Sequence, residues 1–381
     1  MTRWDDDRVE IHGVSADITD ETNALPTKYF TDPGVHEMEK DQIFGRYWVY
    51  AGHENLIPER GDYFTRTIAD RQIIVTRDDG GDVRAFYNVC AHRGSKMLDD
   101  TPMTDPGSLN RITCPYHLWA YELDGDLAST PESFEEATLN PDLDDDDAVP
   151  ELDSEANGLL EVTTDSIGPL VFVNFADDPD LSLAEQAGEM KTELEALPLG
   201  EYEHARRYVS EVECNWKAFG GNYSECDHCH PNHQDWVTGL ELRDSELELN
   251  DYHWVLHYKH KEDVDDEMRI HPEHEAKFYY FWPNFTVNMY GTADGYGTYI
   301  IDPIDEGRFQ LIADYYFRDA DLSEEEEQFV QTSRKLQEED FELVERQYEG
   351  LKSGALGQGQ LGPNEHTVHK LHRLAQDAYN A

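Results

Sequence analysis

The chain of 381 residues is long enough for two domains with sizeable cores, and 38% hydrophobic content with 21 tyrosines fits a folded globular protein. Its 82 acidic against 30 basic residues leave a net charge of −52, which disfavours a nucleic-acid partner, because binding phosphates needs a basic surface. The acid is spread through every segment and not gathered in a tail, the pattern of proteins from salt-rich cytoplasm, where dense carboxylates hold water and repel neighbours.

The opening "MTRWDDDRVE" carries no signal-peptide core, and apolar runs such as "PLVFVNF" are far too short to span a bilayer. Few cysteines argue against a disulfide framework. A cytoplasmic protein with no membrane contact is expected. Residues 1–44 read as an N-terminal arm with a short helix around Pro33 to Phe44. From Gly45 to about Asp178, alternating segments ("RQIIVTRD", "VRAFYNV", "PLVFVNF") separated by glycine and aspartate turns read as antiparallel strands. "DDTPMTDPG" and "LDDDDAVPELDSEANG" read as acidic loops within this domain.

Inside it lie "YNVCAHRGSKM" and "ITCPYHLWAYELDGDL". Cys90 and His92 form Cys-x-His, Cys114 and His117 form Cys-x-x-His, and the 21 residues from Arg93 to Thr113 separate the pairs. Two thiolates and two imidazoles fit either zinc or a [2Fe–2S] cluster whose cysteines hold one iron and whose histidines hold the other. Zinc-finger helices place both histidines last, so the alternating order favours the cluster.

Residues 179–381 open with a helix near Leu183 to Leu197 and then reach "NYSECDHCHPNH", Asn222 to His233. Cys226 and Cys229 stand at zinc-knuckle spacing, but no second ligand pair follows. His228 and His233 are five apart with Pro231 between them, a rotation of about 140° on a helix that the proline should end. They can therefore meet at one ion only from a helix end and the loop after it. Cys226, Cys229 and His230 read as packing around that ion. Strands "HWVLHYKH", "FTVNMYG", "GTYIIDPI" and "FQLIADYYF" come next, making an α+β domain with helices over an antiparallel sheet.

The segment "DLSEEEEQFVQTSRKLQEEDFELVERQYEGLKSG" reads as one long helix, with a capping box at Ser323 and Glu326 and an end at Gly350 or Gly354. Phe329, Leu336, Leu343, Val344 and Leu351 fall within about 60° of Asp340 on the helical wheel, whereas Glu338, Glu339, Glu342 and Glu345 point away. A carboxylate in the middle of an apolar stripe is costly unless it binds a metal or a cation. "GALGQGQLG" lacks the preceding strand and following helix of a nucleotide site and reads as a loop. The three cysteines outside the two Cys-His pairs are too few for the four-cysteine set of a plant-type ferredoxin domain.

"CAHRG" with "CPYHLW" resembles the Rieske cluster motif, and together with "NYSECDHCHPNH" the chain resembles, from about Phe30 to Leu371, the α subunit of a Rieske non-haem iron oxygenase. Leu118 departs from the family, which usually has a small residue there, and the spacer between the motifs is longer than usual. The resemblance implies an all-β Rieske domain over 45–178 and a helix-grip catalytic domain over 179–381, on which the arm 1–44 packs. It implies Cys90, His92, Cys114 and His117 as ligands of a [2Fe–2S] cluster, and His228, His233 and Asp340 as ligands of a mononuclear iron. Glu225 matches the family's bridge between the two centres, running in a homotrimer from His117 of one chain to His228 of the next. The implied partners are O₂, a small-molecule substrate and a separate NAD(P)H-dependent reductase or ferredoxin. "PNFTVNMYG" and "EEDFELVERQYEGLKSGALGQGQL" look most like the choline, carnitine and glycine-betaine oxygenases, and Trp236, Tyr280, Trp282 and Tyr290 are aromatic side chains that could box a cation, weighed against a plain core role. The alternatives are an aromatic ring-hydroxylating enzyme and, from another class, a Rieske electron carrier with a non-catalytic binding domain.

Overall fold

A computed structural model describes residues 23–131, 153–233, 240–260, 276–290 and 294–380. The chain divides into two compact units, 50–179 and 1–49 together with 180–381. The arm thus belongs to the same unit as the C-terminal half. It contributes β1 (Asn23–Pro26), α1 (Lys28–Thr31) and α2 (Pro33–Gln42). Pro33 starts α2 where its missing N–H costs nothing, and the Asp32 carboxylate caps it by accepting from Gly34 N.

The 50–179 unit is built of strands: β2 (Val49–His53), β3 (Asp62–Ile68), β4 (Arg71–Arg77), β5 (Val83–Tyr87), β6 (Gly107–Ser108), β7 (Ile112–Thr113), β8 (Ala120–Tyr121), β9 (Leu127–Ser129), β10 (Glu161–Ile167) and β11 (Leu170–Asn174). They form a seven-stranded sheet in the order β2-β11-β10-β5-β4-β3-β6 and a three-stranded sheet β7-β8-β9. Ile74, Phe86, Ile112, Trp119, Tyr121 and Leu123 are in one buried cluster that also takes in Cys90 and Cys114. Most of "LDDDDAVPELDSEANG" lies outside the described residues.

The other unit continues with α3 (Leu183–Ala187), α4 (Glu189–Glu195), β12 (Glu203–Val212), α5 (Trp216–Tyr223), α6 (Cys229–Asn232), β13 (Leu240–Leu249), β14 (His253–His260), β15 (Ala276–Phe281), β16 (Phe285–Met289), β17 (Gly295–Asp305), β18 (Arg308–Phe317), α7 (Glu324–Lys352), β19 (Gln358–Gln360) and α8 (His366–Tyr379). The single helix expected near Leu183 to Leu197 is two, because Gly188 between them takes φ +53. Strands β12 to β18 make one antiparallel sheet ordered β12-β18-β17-β16-β15-β14-β13. The long helix α7 has its capping box at Ser323 and Glu326, ends just before Gly354 at φ +67, and reaches the sheet through Ser333 and Gln337, which hydrogen-bond Tyr299 and Tyr315. "GALGQGQLG" is not all loop: Gln358–Gln360 pairs with β1, closing the arm onto the C-terminal segment.

One buried ion pair ties these pieces together. Glu39 on α2 accepts from Lys217 Nζ at 2.6 Å, Trp216 Nε1 at 2.9 Å and the Tyr379 hydroxyl at 2.5 Å. Burial lowers the Lys217 pKa and the Glu39 charge opposes that. Removing one partner would strand a buried charge at a cost of about 3–5 kcal/mol, so the pair holds α2 and α8 firmly against α5. Among the described residues no helix is long and apolar enough to cross a membrane.

Candidate metal centres

In the 50–179 unit two loops repeat one backbone pattern. Cys90 N donates to Ser95 O while Cys90 O accepts from Gly94 N, and Cys114 N donates to Trp119 O while Cys114 O accepts from Leu118 N. In each loop the residue four after the cysteine has positive φ, +71° at Gly94 and +58° at Leu118. That is why a small residue suits the second position. Leucine there strains the backbone by about 1–2 kcal/mol, and its side chain, 63% exposed, meets no crowding.

The loops bring the predicted ligands together. Cys90 and Cys114 are buried, and the His92 and His117 rings lie 4.9 Å apart. Trp119 stacks on His92 and Tyr116 on His117, fixing both ring planes. The Tyr121 hydroxyl stands 3.2 Å from Cys90 Sγ and accepts from Ala91 N. Burial raises the Cys90 thiol pKa against the pull of Tyr121. Burial also works against a Cys114 thiolate, but the N–H groups of Tyr116 and His117 outweigh it and lower that pKa. Two buried sulfurs backed by N–H and O–H donors, with two half-buried imidazoles beside them, fit a cluster with sulfur on one iron and nitrogen on the other.

The second site is built on α5, α6 and α7. Helix α5 ends at Ser224, whose hydroxyl donates back to Gly220 O and whose carbonyl accepts from Thr367, so the chain turns just ahead of Glu225. His228 and His233 then occupy the two ends of α6, a single turn. Pro231 does not end this helix as expected: it falls in the first turn, where its lacking N–H has no partner to lose. Both Nε2 atoms face one carboxylate oxygen, Asp340 Oδ1, at 3.2 Å from His228 and 3.0 Å from His233.

Each ring is anchored from behind. Glu225 Oε1 lies 2.5 Å from His228 Nδ1, and Glu339 Oε2 lies 2.9 Å from His233 Nδ1. The wheel had sent Glu339 away from the site; its length lets it reach back over α7. The available signal was chemical, since a metal-bound histidine hands its other N–H to a carboxylate or carbonyl and "EED" supplies a second acid next to Asp340. Asn222 was also missed; its amide nitrogen is 3.1 Å from His228 Nε2 and 3.3 Å from Asp340 Oδ1.

Burial works against a charged His228, but the Asp340 and Glu225 carboxylates prevail and raise its pKa to about 9. His233 is raised for the same reason by Asp340, and Asp340 itself is lowered despite burial by both imidazoles. Two imidazole nitrogens and a carboxylate oxygen converging from anchored rings fit the donor set of a non-haem ferrous site that leaves positions open. Cys226 and Cys229 are neither a zinc knuckle nor simple packing. They form a disulfide, contrary to the expectation from cysteine number, because the turn leading into α6, closed by Cys229 N donating to Cys226 O, sets their Cα atoms 4.9 Å apart.

A cavity of about 80 Å³ opens beside His228, His233 and Asp340. Its aromatic walls are Phe219, Tyr223, Tyr258, Phe278, Tyr290 and Tyr299. Of the aromatic residues singled out earlier, Tyr290 lines it. Trp236 lies outside the described residues. Tyr280 and Trp282 do not line it: Tyr280 stacks on Trp254 and donates to Pro283 O, and Trp282 packs on Tyr47 and Trp216. The strand register explains this, since the rung Leu256–Phe278–Asn288 faces the cavity while Trp254–Tyr280–Thr286, two residues along, is already core.

Comparison with known proteins bears on the family and on its cofactors. Residues 47–140 match the Rieske [2Fe-2S] domain and 199–381 the catalytic domain of the ring hydroxylating alpha subunit. The carnitine monooxygenase oxygenase subunit of Escherichia coli (strain K12) is 30% identical over 370 residues, 93% of each chain. The chain belongs to the Rieske non-haem iron oxygenases. Its cofactors are accordingly a Rieske [2Fe–2S] cluster and a mononuclear iron, and as an oxygenase component it takes electrons from a separate reductase. Among other Rieske oxygenases, the chloroplastic choline monooxygenase of Beta vulgaris is 27% identical, covering 91% of this chain and 75% of its own. The crystal structure of a quaternary ammonium Rieske monooxygenase in complex with L-carnitine superposes with a TM-score of 0.77 at 25% identity, over 94% of this chain and 96% of that one.

Proposed function

We propose that this oxygenase component hydroxylates or demethylates a small quaternary ammonium compound. Cys90, His92, Cys114 and His117 hold the cluster and His228, His233 and Asp340 the iron in this reading, with Glu225 joining His117 of one copy to His228 of the next in a homotrimer. The electron donor is an NAD(P)H-dependent reductase or ferredoxin, and the setting is cytoplasmic and salt-adapted, in keeping with the charge of −52. When bound, the cluster supplies electrons singly and the iron activates O₂. The chain's own work is positional. Glu225 and Glu339 fix the tautomers of His228 and His233, so that both Nε2 lone pairs face the ion beside Asp340.

The observation that carries the substrate class is the cavity wall. Six aromatic side chains with the acids Glu225 and Asp340, and no lysine or arginine among the described lining residues, suit a cation whose methyl groups lie against ring faces. The relatives named for carnitine and choline point the same way. With a surrogate reductase, product should form from choline, carnitine or glycine betaine in step with O₂ uptake, and none from benzoate-type acids. Product from the aromatic acids alone would replace this reading with ring hydroxylation.

The Tyr121 hydroxyl beside Cys90 gives the cluster its own test. A donor to a ligand sulfur stabilises the more negative, reduced state. Tyr121→Phe should therefore lower the reduction potential by about 60 mV, the one-electron equivalent of a hydrogen bond worth about 1.4 kcal/mol. Potentiometric titration followed by the reduced-cluster EPR signal reads it, and an unchanged potential would remove Tyr121 from the cluster's surroundings.

A further inference from the structure

Two sulfur atoms stand at the edge of the iron site with no role in the chemistry so far. Cys229 is buried at the start of α6, directly after the ligand His228, and with Cys226 it lines the catalytic cavity. Its Sγ is 3.9 Å from His228 Nε2. One ligand atom from each of His228, Cys229 and His233 falls within 4.8 Å of the others, close enough to share a single ion. What withholds the sulfur is its bond to Cys226, because a disulfide sulfur carries no thiolate charge and is a poor ligand.

We propose that Cys229 is a latent metal ligand: the Cys226–Cys229 disulfide keeps its sulfur from the ion between His228, His233 and Asp340, and reduction of that disulfide delivers a thiolate to it. The backbone is already arranged for both states. Cys229 N donates to Cys226 O at 3.1 Å, and His233 N donates to Cys229 O at 2.8 Å, bonds that do not depend on the S–S link. Opening the disulfide removes neither of these two backbone bonds.

A thiol or phosphine reductant supplies the electrons. With a phosphine, the S–S bond takes up two electrons and two protons to give two thiols, while the phosphine becomes its oxide with the oxygen of the water that supplied the protons. The Cys229 thiol then loses its proton to solvent on binding the ion. A set of two imidazoles and a carboxylate leaves positions open, as O₂ chemistry needs; adding a thiolate fills one of them and softens the set towards zinc. The disulfide would thereby control which metal the site prefers. This inference rests on the assignment of His228, His233 and Asp340 to the ion.

Zinc X-ray absorption separates the two, since it reports only the zinc site while the cluster holds iron. The cluster-loaded enzyme, its mononuclear site stripped by a chelator and refilled with zinc, is measured oxidised, after phosphine reduction and removal of the phosphine, and as Cys226→Ser and Cys229→Ser. One sulfur neighbour per zinc at about 2.3 Å is expected in the reduced enzyme and in Cys226→Ser without reductant, and only nitrogen and oxygen neighbours at about 2.0–2.2 Å in the oxidised enzyme and in Cys229→Ser. Imidazole neighbours without sulfur in both the reduced enzyme and Cys226→Ser would overturn the latent ligand and leave the iron-site assignment standing. A zinc ion without imidazole neighbours would overturn both.

Discussion

Electron transfer from the reduced cluster to the iron should slow by roughly 100-fold or more in Glu225→Gln, with both centres still loaded. In the native chain both carboxylate oxygens of Glu225 are engaged, Oε1 with His228 Nδ1 at 2.5 Å and Oε2 with Asp227 N at 2.5 Å. Glutamine keeps the size but has one acceptor oxygen. Its NH₂ must face either the imidazole N–H or the Asp227 N–H, so the His228 ring loses its anchor or the loop does. The proposed bridge has the further task of accepting from His117 of a neighbouring copy, which a single carbonyl oxygen cannot add. Every proposed metal ligand remains, so the cluster and the iron should load as before. Stopped-flow single turnover from chemically reduced enzyme reads the transfer, and dye reduction of the cluster should continue unchanged. A transfer rate close to the parent's would return Glu225 to being one acid among many.

Asp340→Ala should lose the mononuclear iron altogether. Among the described residues the Asp340 carboxylate is the negative donor that meets both Nε2 atoms, 3.2 Å from His228 and 3.0 Å from His233. Without it two imidazoles remain, anchored by Glu225 and Glu339 but with no charge between them to hold a divalent ion. Iron per chain should fall from three, two in the cluster and one mononuclear, to the cluster's two, with the cluster's EPR signal intact and substrate-dependent O₂ uptake gone. Full iron content in the variant would show that Asp340 is no ligand. Two irons in the parent, with its cluster replete, would instead favour the electron-carrier reading.

Both predictions rest on residues legible in the sequence because cofactor ligands come in short local patterns. A loop that grips a cluster needs cysteine and histidine two or three residues apart, and one turn of helix can carry His228 and His233 at its ends. Helix α7 was legible for a similar reason: its capping box and apolar stripe repeat within the segment itself, and Asp340 stood out against that stripe. Leu118 and the long spacer were the visible departures in the cluster motif, and the positive φ at 118 shows why a small residue is usual there.

Tertiary structure alone decided the rest. Glu339 reaches His233 across 106 positions of sequence, and no periodicity within α7 reports on a partner so distant. The disulfide depended on how tightly the turn before α6 closes, which composition does not encode. Which aromatics wall the cavity was settled by strand register, because Phe278 and Tyr280 share a face of β15 and yet two residues along the strand separate cavity from core. Spacing along the chain picked out the candidate ligands and the family resemblance named the metals; the shape around them comes from contacts between segments far apart in the sequence.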